Sequence, residues 1–544
     1  MHTLDLIVIV GYLVLMPVLG VLLAGRQKSA EDYFVGGRNL PWWAVCFSVV
    51  ATETSTLTVI SVPTVAYLGS FTYLQLAIGY LIGRVVVAFV LLPRYYAGNL
   101  VSAYAFLGKR FGRGLQGTAS VTFLVTRLLA DGVRLFATAI PVKLLLDAFG
   151  LNVAYWQIIL GLSLFTVIYT YVGGIKAVVW VDVVQMAIYV GGGVAAVWLL
   201  ANRLPDGWVG SAAEAGKFQL LDFGSSILTN QYSFITAVIG GAIFAMASHG
   251  ADQLMVQRLL ACRNVRDSQK ALIASGFVVF LQFAVFLVVG AMLWSFYGGM
   301  DPAALGLGNN DELFPTFIIE EFPPGLAGLM IAGILAAAMS TLSSSLNSLS
   351  TSTVSDLYQR FTRRTLSDEA VLRYGRIWTV VWALVFVGFA SLFTTTSNPV
   401  VEVGLSIASY TYGALLGAFA LGLLVRRANQ VDAIVAFAST IVVVLLVMTF
   451  VRFPGADGEP TVLAFPWFAP LGVAVTMLVG WLMSLRRPRP GVITEDFIPR
   501  DAGPRDATPP ESKPAGAGPS GAGIEKSGPT DTDPSGRPDP VSER

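Results

Sequence analysis

The chain has few of the residues that soluble enzymes and disulfide-stabilised proteins depend on. Its 544 residues include two cysteines, Cys46 and Cys262, and two histidines, His2 and His249, and only 13% are charged. Two cysteines in or beside separate apolar segments form neither a disulfide framework nor a paired-cysteine metal motif. No HExxH, GxSxG or P-loop pattern is present, so neither a nucleophile with its base nor a nucleotide site is indicated. We expect that the protein is not an enzyme.

Long apolar runs are what the sequence has in abundance. Hydrophobic residues make up 55% of the chain and mean hydropathy is +0.68, values typical of a membrane protein. Apolar windows of the length that crosses a bilayer occur at 3–24, 40–62, 72–97, 116–146, 154–173, 177–202, 230–256, 271–297, 322–350, 375–394, 399–424, 431–451 and 465–485. The sequence therefore predicts an all-α, polytopic membrane protein with about thirteen transmembrane helices.

Basic residues collect after alternate spans, as at Arg26 and Lys28, at Lys109 and Arg110, and in the Arg258–Lys270 segment. Because Lys and Arg concentrate in cytoplasmic loops, this predicts a cell-membrane protein with its amino terminus outside and its carboxyl terminus in the cytoplasm. Residues 1–487 would form the transmembrane domain. The Pro-, Gly- and Ser-rich segment 488–544 is predicted to be a disordered cytoplasmic tail that acts as a passive tether, with a docking peptide as the alternative.

Two spans carry polar residues near their middles. The second reads VVATETSTLTVISVP and the seventh reads FAMASHGADQLMVQR. Broken helices persist in a bilayer only where protein, water, ion or substrate satisfies the freed backbone groups, and transporters place their binding sites there. The interruptions lie five spans apart, which favours two five-helix repeats of opposite orientation, at about 40–202 and 230–424.

The segment GILAAAMSTLSSSLNSLSTSTVSDLY, residues 333–358, places many hydroxyls on one membrane helix. Ser340, Thr341, Ser343 and Ser344 fall within little more than one helical turn, where neutral oxygens suit a small hard cation. The alternative is that small residues merely allow helices to pack closely in lipid.

Four segments resemble, in order, those of the sodium:solute symporter family. They are YFVGGRNLPWW at 33–43, YTYVGGIKAVVWVDVVQM at 169–186, ADQLMVQRLLACRN at 251–264 and AAAMSTLSSSLNS at 336–348. The resemblance covers roughly residues 1–485. It implies a leucine-transporter-type fold with an inverted-repeat core, sodium as the coupling ion, and import of a small solute by alternating access.

The resemblance also implies sodium ligands. The first site would use the carbonyls of Ala51, Thr54 and Ala337 and the hydroxyls of Ser340 and Thr341. A second site, present in some members, would use Asp182, Ser343 and Ser344, with Ser340 shared. The alternative for Asp182 is a structural carboxylate near the cytoplasmic end, solvated or paired beside Lys176.

The candidate substrate residues cluster at the two interruptions and on the fourth span: Glu53, Ser55, Thr58, His249, Asp252, Gln253, Arg127 and Arg134. A buried Glu53 needs a cation, which would be sodium, a substrate ammonium, or Arg127 or Arg134. An arginine fork suits a carboxylate, although an internal network with Asp131 is an equal alternative. We expect a small polar organic solute, a carboxylate or amino acid; a sugar, an inorganic anion and a sensor function stay open. No nucleic-acid partner is expected, and the oligomeric state is not predicted.

Overall fold

The structure, a computed structural model, describes residues 2–25, 29–98, 100, 102–148, 150–308, 310–358, 367–392, 400–455 and 459–486. The predicted tail at 488–544 lies outside the described residues. The first part of the chain forms nine helices: α1 Thr3–Ala24, α2 Ala30–Val35, α3 Trp42–Glu53, α4 Thr56–Leu68, α5 Leu74–Val90, α6 Leu92–Ala97, α7 Ala103–Phe111, α8 Arg113–Ala148 and α9 Tyr155–Ala201.

Ten more helices follow: α10 Trp208–Glu214, α11 Gly241–Gly250, α12 Gln253–Leu259, α13 Val265–Phe296, α14 Leu313–Glu321, α15 Leu326–Thr351, α16 Asp368–Ala390, α17 Val400–Leu424, α18 Gln430–Phe450 and α19 Phe468–Ser484. Short π-helices at Thr236–Gly240 and Ser352–Tyr358 extend α11 and α15. Within the described residues the strands are β1 Phe453–Pro454 and β2 Pro460–Thr461, which pair antiparallel. The all-α prediction is confirmed.

Nine helices in the described part of the chain are long and apolar enough to span a bilayer, and α3 with α4 forms one further, bent span. The 47-residue α9 covers two predicted spans and is kinked at Gly174, where φ is 53°. A side chain at Gly174 would collide with the carbonyl of Tyr33, so glycine is required at this kink. The polytopic membrane class is confirmed, whereas the number thirteen stays a prediction.

Both predicted helix interruptions are present. Helix α3 ends at Glu53 and α4 restarts at Thr56, and the two halves of this span are bent by 62°. Helix α11 ends at Gly250, and α12 restarts at Gln253 with the Asp252 side chain capping it by accepting from Leu254 N at 2.9 Å. Because the helix stops at each break, the last carbonyls of α3 and α11 have no amide donor from a following helical turn.

The hydroxyl-rich helix α15 lies in the interior of the bundle. Every residue from Met330 to Thr351 is buried, and α15 packs against α1, α3, α8 and α9. By contrast, the outer helices present apolar side chains, such as Leu22 and Leu281, which are 72% and 64% exposed. The hydroxyls of α15 therefore face protein, while the lipid-compatible surface is supplied by other helices.

Candidate functional site

A cavity of about 440 Å³ lies beside the break between α3 and α4. Six of the predicted substrate residues line it: Glu53, Ser55, Thr58, Arg127, Arg134 and His249. Aromatic side chains complete the wall, among them Tyr73, Tyr80, Phe244 and Tyr412. A cavity of this size with a largely apolar lining and a few convergent polar groups has the character of a small-molecule site.

The cavity extends toward one end of the bundle. Its lining includes Leu68 and Gly69 at the end of α4, and Asn310 and Asp311 in the loop before α14. This loop contains Asp301, Asp311 and Glu312 and no Lys or Arg, so the rule for basic residues predicts that it lies outside. On that prediction, the cavity is reached from the outer face.

Glu53 is paired with Arg84 of α5, not with Arg127 or Arg134 as the sequence suggested. The Arg84 side chain is fully buried and also donates to Ser275 Oγ at 3.0 Å, while Glu53 is 17% exposed and forms part of the cavity wall. Helix α5 also packs closely on α11, since a side chain at Gly83 would collide with the Ala242 carbonyl. The sequence left sodium, a substrate ammonium and Arg127 or Arg134 open as the partner of Glu53, and the arginine alternative was wrong.

His249 completes this group on the α11 side. Its Nδ1 lies 2.8 Å from Ser248 Oγ and 3.3 Å from the Ala245 carbonyl oxygen. Its Nε2 lies 3.7 Å from Glu53 Oε2 and has no hydrogen-bond partner among the described residues. A buried imidazole nitrogen without a partner, on the wall of a cavity, is available to a polar group of a bound solute.

Asp131 holds the two arginines of α8. Its carboxylate lies 3.4 Å from Arg127 Nη1 and 3.1 Å from Arg134 Nη1, and it accepts from Ser345 Oγ of α15 at 2.5 Å. Arg127 is also bound by Asp252 and donates to Tyr412 Oη at 2.6 Å. The predicted internal network with Asp131 therefore exists, but Glu53 is not part of it.

Two predicted substrate residues stand behind the cavity wall. Asp252 binds Arg127 and caps α12, and Gln253 Oε1 accepts from Ala103 N at 2.7 Å. Neither belongs to the lining. These polar side chains stabilise the second helix break and its contact with α7. In the sequence they cannot be distinguished from polar residues that bind a solute.

The elements predicted to hold the first sodium ion are brought together. Thr52 Oγ1 lies 3.2 Å from Ser344 Oγ, and Thr56 Oγ1 donates to the Ile334 carbonyl at 3.2 Å. Residues 52–56 at the break therefore lie against residues 334–344 of α15. Four of the predicted ligand residues, Thr54, Ala337, Ser340 and Thr341, fall between the two contacts, and the fifth, Ala51, directly precedes Thr52.

Local hydrogen bonds show which of the predicted ligand oxygens already take part in a hydrogen bond. Thr54 N donates to the Val50 carbonyl at 2.9 Å, the last bond of α3, so the carbonyls that follow have no helical partner. Thr341 Oγ1 donates to the Ala337 carbonyl at 3.1 Å, and Ser340 Oγ donates to Asp182 Oδ1 at 2.7 Å. Each hydroxyl keeps lone pairs that a cation can use.

The residues of the predicted second sodium site also lie together, and the side chain of Arg258 lies among them. Asp182 is fully buried and accepts from Ser48 Oγ at 2.5 Å as well as from Ser340. Arg258 Nη2 lies 3.5 Å from Asp182 Oδ2 and also donates to Ser344. The sequence assigned Arg258 to a basic cytoplasmic loop, but its side chain is fully buried.

The alternative in which Asp182 is solvated beside Lys176 is also wrong. Lys176 lies 3.9 Å from Asp32 instead. Ser343 Oγ donates to the Ser340 carbonyl at 3.1 Å and Ser344 Oγ to the same carbonyl at 2.5 Å, so the hydroxyls around Asp182 are hydrogen-bonded within α15. A sodium ion at this site would share the Asp182 carboxylate with the Arg258 guanidinium.

An all-helical membrane bundle with two interrupted helices beside a polar cavity, and with a buried hydroxyl-rich helix against one interruption, defines a secondary transporter. Residues 33–441 match the sodium:solute symporter family. The chain belongs to this family and has a leucine-transporter-type fold. It is a multi-pass membrane transporter, not an enzyme, and sodium is its coupling ion.

Relatives within the family carry anionic solutes. The chain is 31% identical to the sodium/sialic acid symporter NanT of Aliivibrio fischeri over 89% of its length and 93% of that protein. It is 29% identical to human sodium-coupled monocarboxylate transporter 1 over 79% of its length and 71% of that protein. It superposes with a TM-score of 0.77 and 28% identity on a sodium-coupled sialic acid symporter in its substrate-bound, outward-open state, covering 89% of this chain and 98% of that structure. That structure reveals a novel sodium site.

Proposed function

We propose that the protein imports a small organic anion, bound through its carboxylate at Arg134, together with sodium by alternating access. The observation that carries this proposal is the partly open guanidinium of Arg134 in the cavity. Its side chain is 19% exposed, and the acidic contact it makes is to Asp131, a carboxylate shared with Arg127 and Ser345. The remaining donors form a planar fork that matches a carboxylate.

Charge balance on the cavity wall supports an anion. Arg127 and Arg134 are matched by Asp131 and Asp252, and Glu53 is matched by Arg84. These paired groups therefore carry no net charge when His249 is neutral, and Asp311, at the outer end of the lining, is the further acidic residue of the cavity. A carboxylate that enters with one sodium ion leaves this balance unchanged, which limits the cost of burying the solute's charge.

Glu53 and His249 form a second polar pole. Because Arg84 already neutralises Glu53, we propose that this pole binds a hydroxyl or amino group by hydrogen bonds and does not depend on a free ammonium. The solute would then bear one carboxylate and a second polar group. Acidic sugars, hydroxy acids and amino acids have this character, and sialic acid and monocarboxylate transport by relatives agrees with it.

Sodium and solute would be coupled through α15. The first sodium ion would join the α3–α4 break to residues 337–341, and Ser345, one turn further, holds Asp131 against Arg134. Binding of sodium would therefore fix the orientation of the arginine that takes the carboxylate. The coupling must be reciprocal, so the solute would raise sodium affinity by the same factor.

We also propose a second sodium ion at Asp182, Ser340, Ser343 and Ser344, with Arg258 turned away from Ser344. The novel sodium site of the related sialic acid symporter supports a second ion. Each sodium that crosses 100 mV adds about 2.3 kcal/mol to the driving force. Two ions per singly charged anion would make transport electrogenic.

Uptake into proteoliposomes tests the solute class. N-acetylneuraminate, lactate, alanine, glucose and iodide are offered with an inward sodium gradient and with potassium in its place. We expect sodium-dependent uptake of at least one carboxylate, lost in Arg134→Gln and retained in the surface variant Arg203→Gln. Uptake of glucose or iodide that no carboxylate inhibits would overturn the proposal, as would carboxylate uptake unchanged in Arg134→Gln.

A further inference from the structure

One polar side chain stands in the apolar middle of α13. Gln282 lies within GFVVFLQFAVFLVVG, residues 276–290, and is 3% exposed. The cavity is lined by its neighbour Phe283 and not by Gln282 itself. A buried amide in a membrane helix is costly unless its hydrogen bonds are made, so such a residue marks a helix contact or a functional site.

The partner of Gln282 is Thr54, the residue at which the α3–α4 span breaks. Gln282 Nε2 donates to Thr54 Oγ1 at 2.8 Å, and Gln282 Oε1 lies 3.1 Å from the same oxygen. Thr54 Oγ1 in turn donates to the Val50 carbonyl at 2.8 Å, and this carbonyl also accepts from Thr54 N. The Thr54 hydroxyl thus joins the last turn of α3 to α13.

Thr54 needs a restraint from outside α3 because its backbone has left the helix. Its φ and ψ are −76° and 98°, an extended conformation, so helical hydrogen bonds do not set the direction of its carbonyl. Groups that bind a metal ion keep their geometry when neighbouring hydrogen bonds restrain them. The bond from Gln282 restrains the Thr54 side chain and, through it, the peptide that follows.

Helix α13 supports both halves of the broken span. It packs against α3 and α4. A side chain at Gly290, just over two turns after Gln282, would collide with the Pro63 carbonyl of α4. This close approach keeps α13 at a fixed distance from the span, so Gln282 reaches Thr54 from a defined position.

The residue on the far side of the break is held by other helices. Thr56 Oγ1 accepts from Thr138 Oγ1 of α8 at 3.0 Å and donates to the Ile334 carbonyl of α15 at 3.2 Å. Thr54, by contrast, is held from α13. The break is therefore fastened on both sides, and the α13 contact acts on the residue whose carbonyl is a predicted sodium ligand.

We propose that Gln282 is a positioning residue for the first sodium site: it holds Thr54 so that the Thr54 carbonyl is oriented to bind the ion. The proposal rests on the sodium ligands proposed above for the break and for α15. Gln282 does not itself bind sodium, because both ends of its amide lie against the Thr54 hydroxyl.

The same helix reaches the solute cavity. Ser275, seven residues before Gln282 and on the same face of α13, accepts from Arg84 at 3.0 Å, and Arg84 is the partner of Glu53. Helix α13 thus contacts both the predicted sodium ligand Thr54 and the ion pair at the cavity wall. A sodium ion that fixes Thr54 would also restrain α13 beside Glu53.

Equilibrium binding of radioactive sodium to the purified full-length protein, without solute, tests this role. Gln282→Met removes the amide and keeps an unbranched side chain of similar size. We expect it to raise the sodium Kd by about tenfold, which is about 1.4 kcal/mol. The melting temperature in potassium should change little, because the Thr54 hydroxyl keeps its bond to Val50. A residue that only packs α13 onto α3 would instead lower the melting temperature and leave the sodium Kd unchanged.

Thr54→Val tests the same hydrogen bond from its other end, since valine keeps the shape and the backbone carbonyl and removes the hydroxyl. We expect a similar rise in sodium Kd, and no further rise when Gln282→Met and Thr54→Val are combined. The matched control is Gln269→Met, which removes another glutamine of α13, one whose Nε2 donates to the Ala88 carbonyl at 2.9 Å. This control should leave the sodium Kd unchanged.

Wild-type sodium affinity in a folded Gln282→Met protein would overturn the proposal, and so would effects of Gln282→Met and Thr54→Val that multiply. Where Gln282→Met does not fold, Thr54→Val decides, and wild-type affinity there overturns the proposal. Ser340→Ala in the same assay tests the first site independently. If it weakens sodium binding and Gln282→Met does not, the role of Gln282 alone is wrong. Sodium is the only ligand added, so the result does not depend on the proposed solute class.

Discussion

Two of the carboxylate–arginine pairs near the α3–α4 break, Glu53–Arg84 and Asp182–Arg258, differ in their exposure. Glu53 forms part of the cavity wall and is 17% exposed, while the Arg84 side chain is fully buried behind it. Asp182 and Arg258 are both fully excluded from solvent and lie against the hydroxyls of α15. The first pair can contact a solute, whereas the second can contact only an ion that reaches it through the helix interface.

The contrast teaches how one fold keeps several buried charges. At Asp182 the cation is built into the chain, and two serine hydroxyls satisfy the carboxylate oxygens. At Glu53 the arginine satisfies one oxygen, and the neighbouring His249 Nε2 is left without a partner. Full satisfaction holds helices in place, while incomplete satisfaction leaves room for recognition.

The largest expected effect comes from breaking the fully buried pair of Asp182 and Arg258, which we call the sealed pair. Arg258→Met leaves the Asp182 carboxylate buried without its partner, which should lower the free energy of unfolding by roughly 3–5 kcal/mol in potassium buffer. Sodium should stabilise this variant more than the wild type, because the carboxylate becomes free to hold the ion. Thermal unfolding in both salts measures the two effects.

The matched control is Arg203→Met, which breaks the ion pair with Glu321, a pair whose side chains are 34% and 35% exposed. A change within about 1 kcal/mol is expected there. Wild-type melting of Arg258→Met in potassium would contradict the structural importance of the sealed pair. An equal sodium effect in wild type and variant would return Asp182 to a purely structural role.

Breaking the pair of Glu53 and Arg84 at the cavity, which we call the open pair, should lower stability less and impair solute binding more. Glu53→Gln leaves Arg84 with Ser275 as its partner, next to the cavity, so we expect a loss of about 1–3 kcal/mol. Solute-induced stabilisation should fall sharply, while sodium-induced stabilisation stays. A variant that melts, binds sodium and transports as the wild type does would show that the solute does not use Glu53.

The first predicted sodium site gives a further test, with a smaller expected effect. Ser340→Ala and Thr341→Ala should each raise the sodium concentration for half-maximal transport by about tenfold, which corresponds to about 1.4 kcal/mol. Thr341→Ser, which keeps the hydroxyl, should retain most of the sodium affinity. If both alanine variants keep wild-type sodium activation, the first site is not where the family resemblance places it.

Local sequence patterns predicted the parts of the site that depend on neighbouring residues. The breaks at 54–55 and 251–252 and the buried hydroxyls of α15 follow from polarity in short apolar windows, and the structure confirms them. Six of the predicted substrate residues line the cavity. The sodium ligands and the oligomeric state stay untested.

The partners of the two carboxylates could not be read from local patterns. Arg84 is 31 residues from Glu53, and Arg258 is 76 residues from Asp182, so their pairing depends on how α5 and α12 pack. A signal was nevertheless present, since both arginines stand in apolar surroundings, in YLIGRVVV and LMVQRLLA. An arginine inside such a run needs an internal carboxylate, whatever its distance from the membrane surface.

The smallest expected effect tests whether the open pair recognises the solute's second polar group. His249→Gln places an amide nitrogen near the position of Nε2, whereas His249→Asn preserves only the Nδ1 side, which contacts Ser248 and the Ala245 carbonyl. We expect Asn to raise the KM for a hydroxy or amino acid about threefold to tenfold, the effect of one lost hydrogen bond of about 1 kcal/mol, and Gln to restore most of it. The KM for a carboxylate without the second group should change in neither variant, because that solute uses Arg134 alone. Equal losses in Asn and Gln for both kinds of solute would mean that His249 only supports Glu53, and the open pair would then be a structural element like the sealed one.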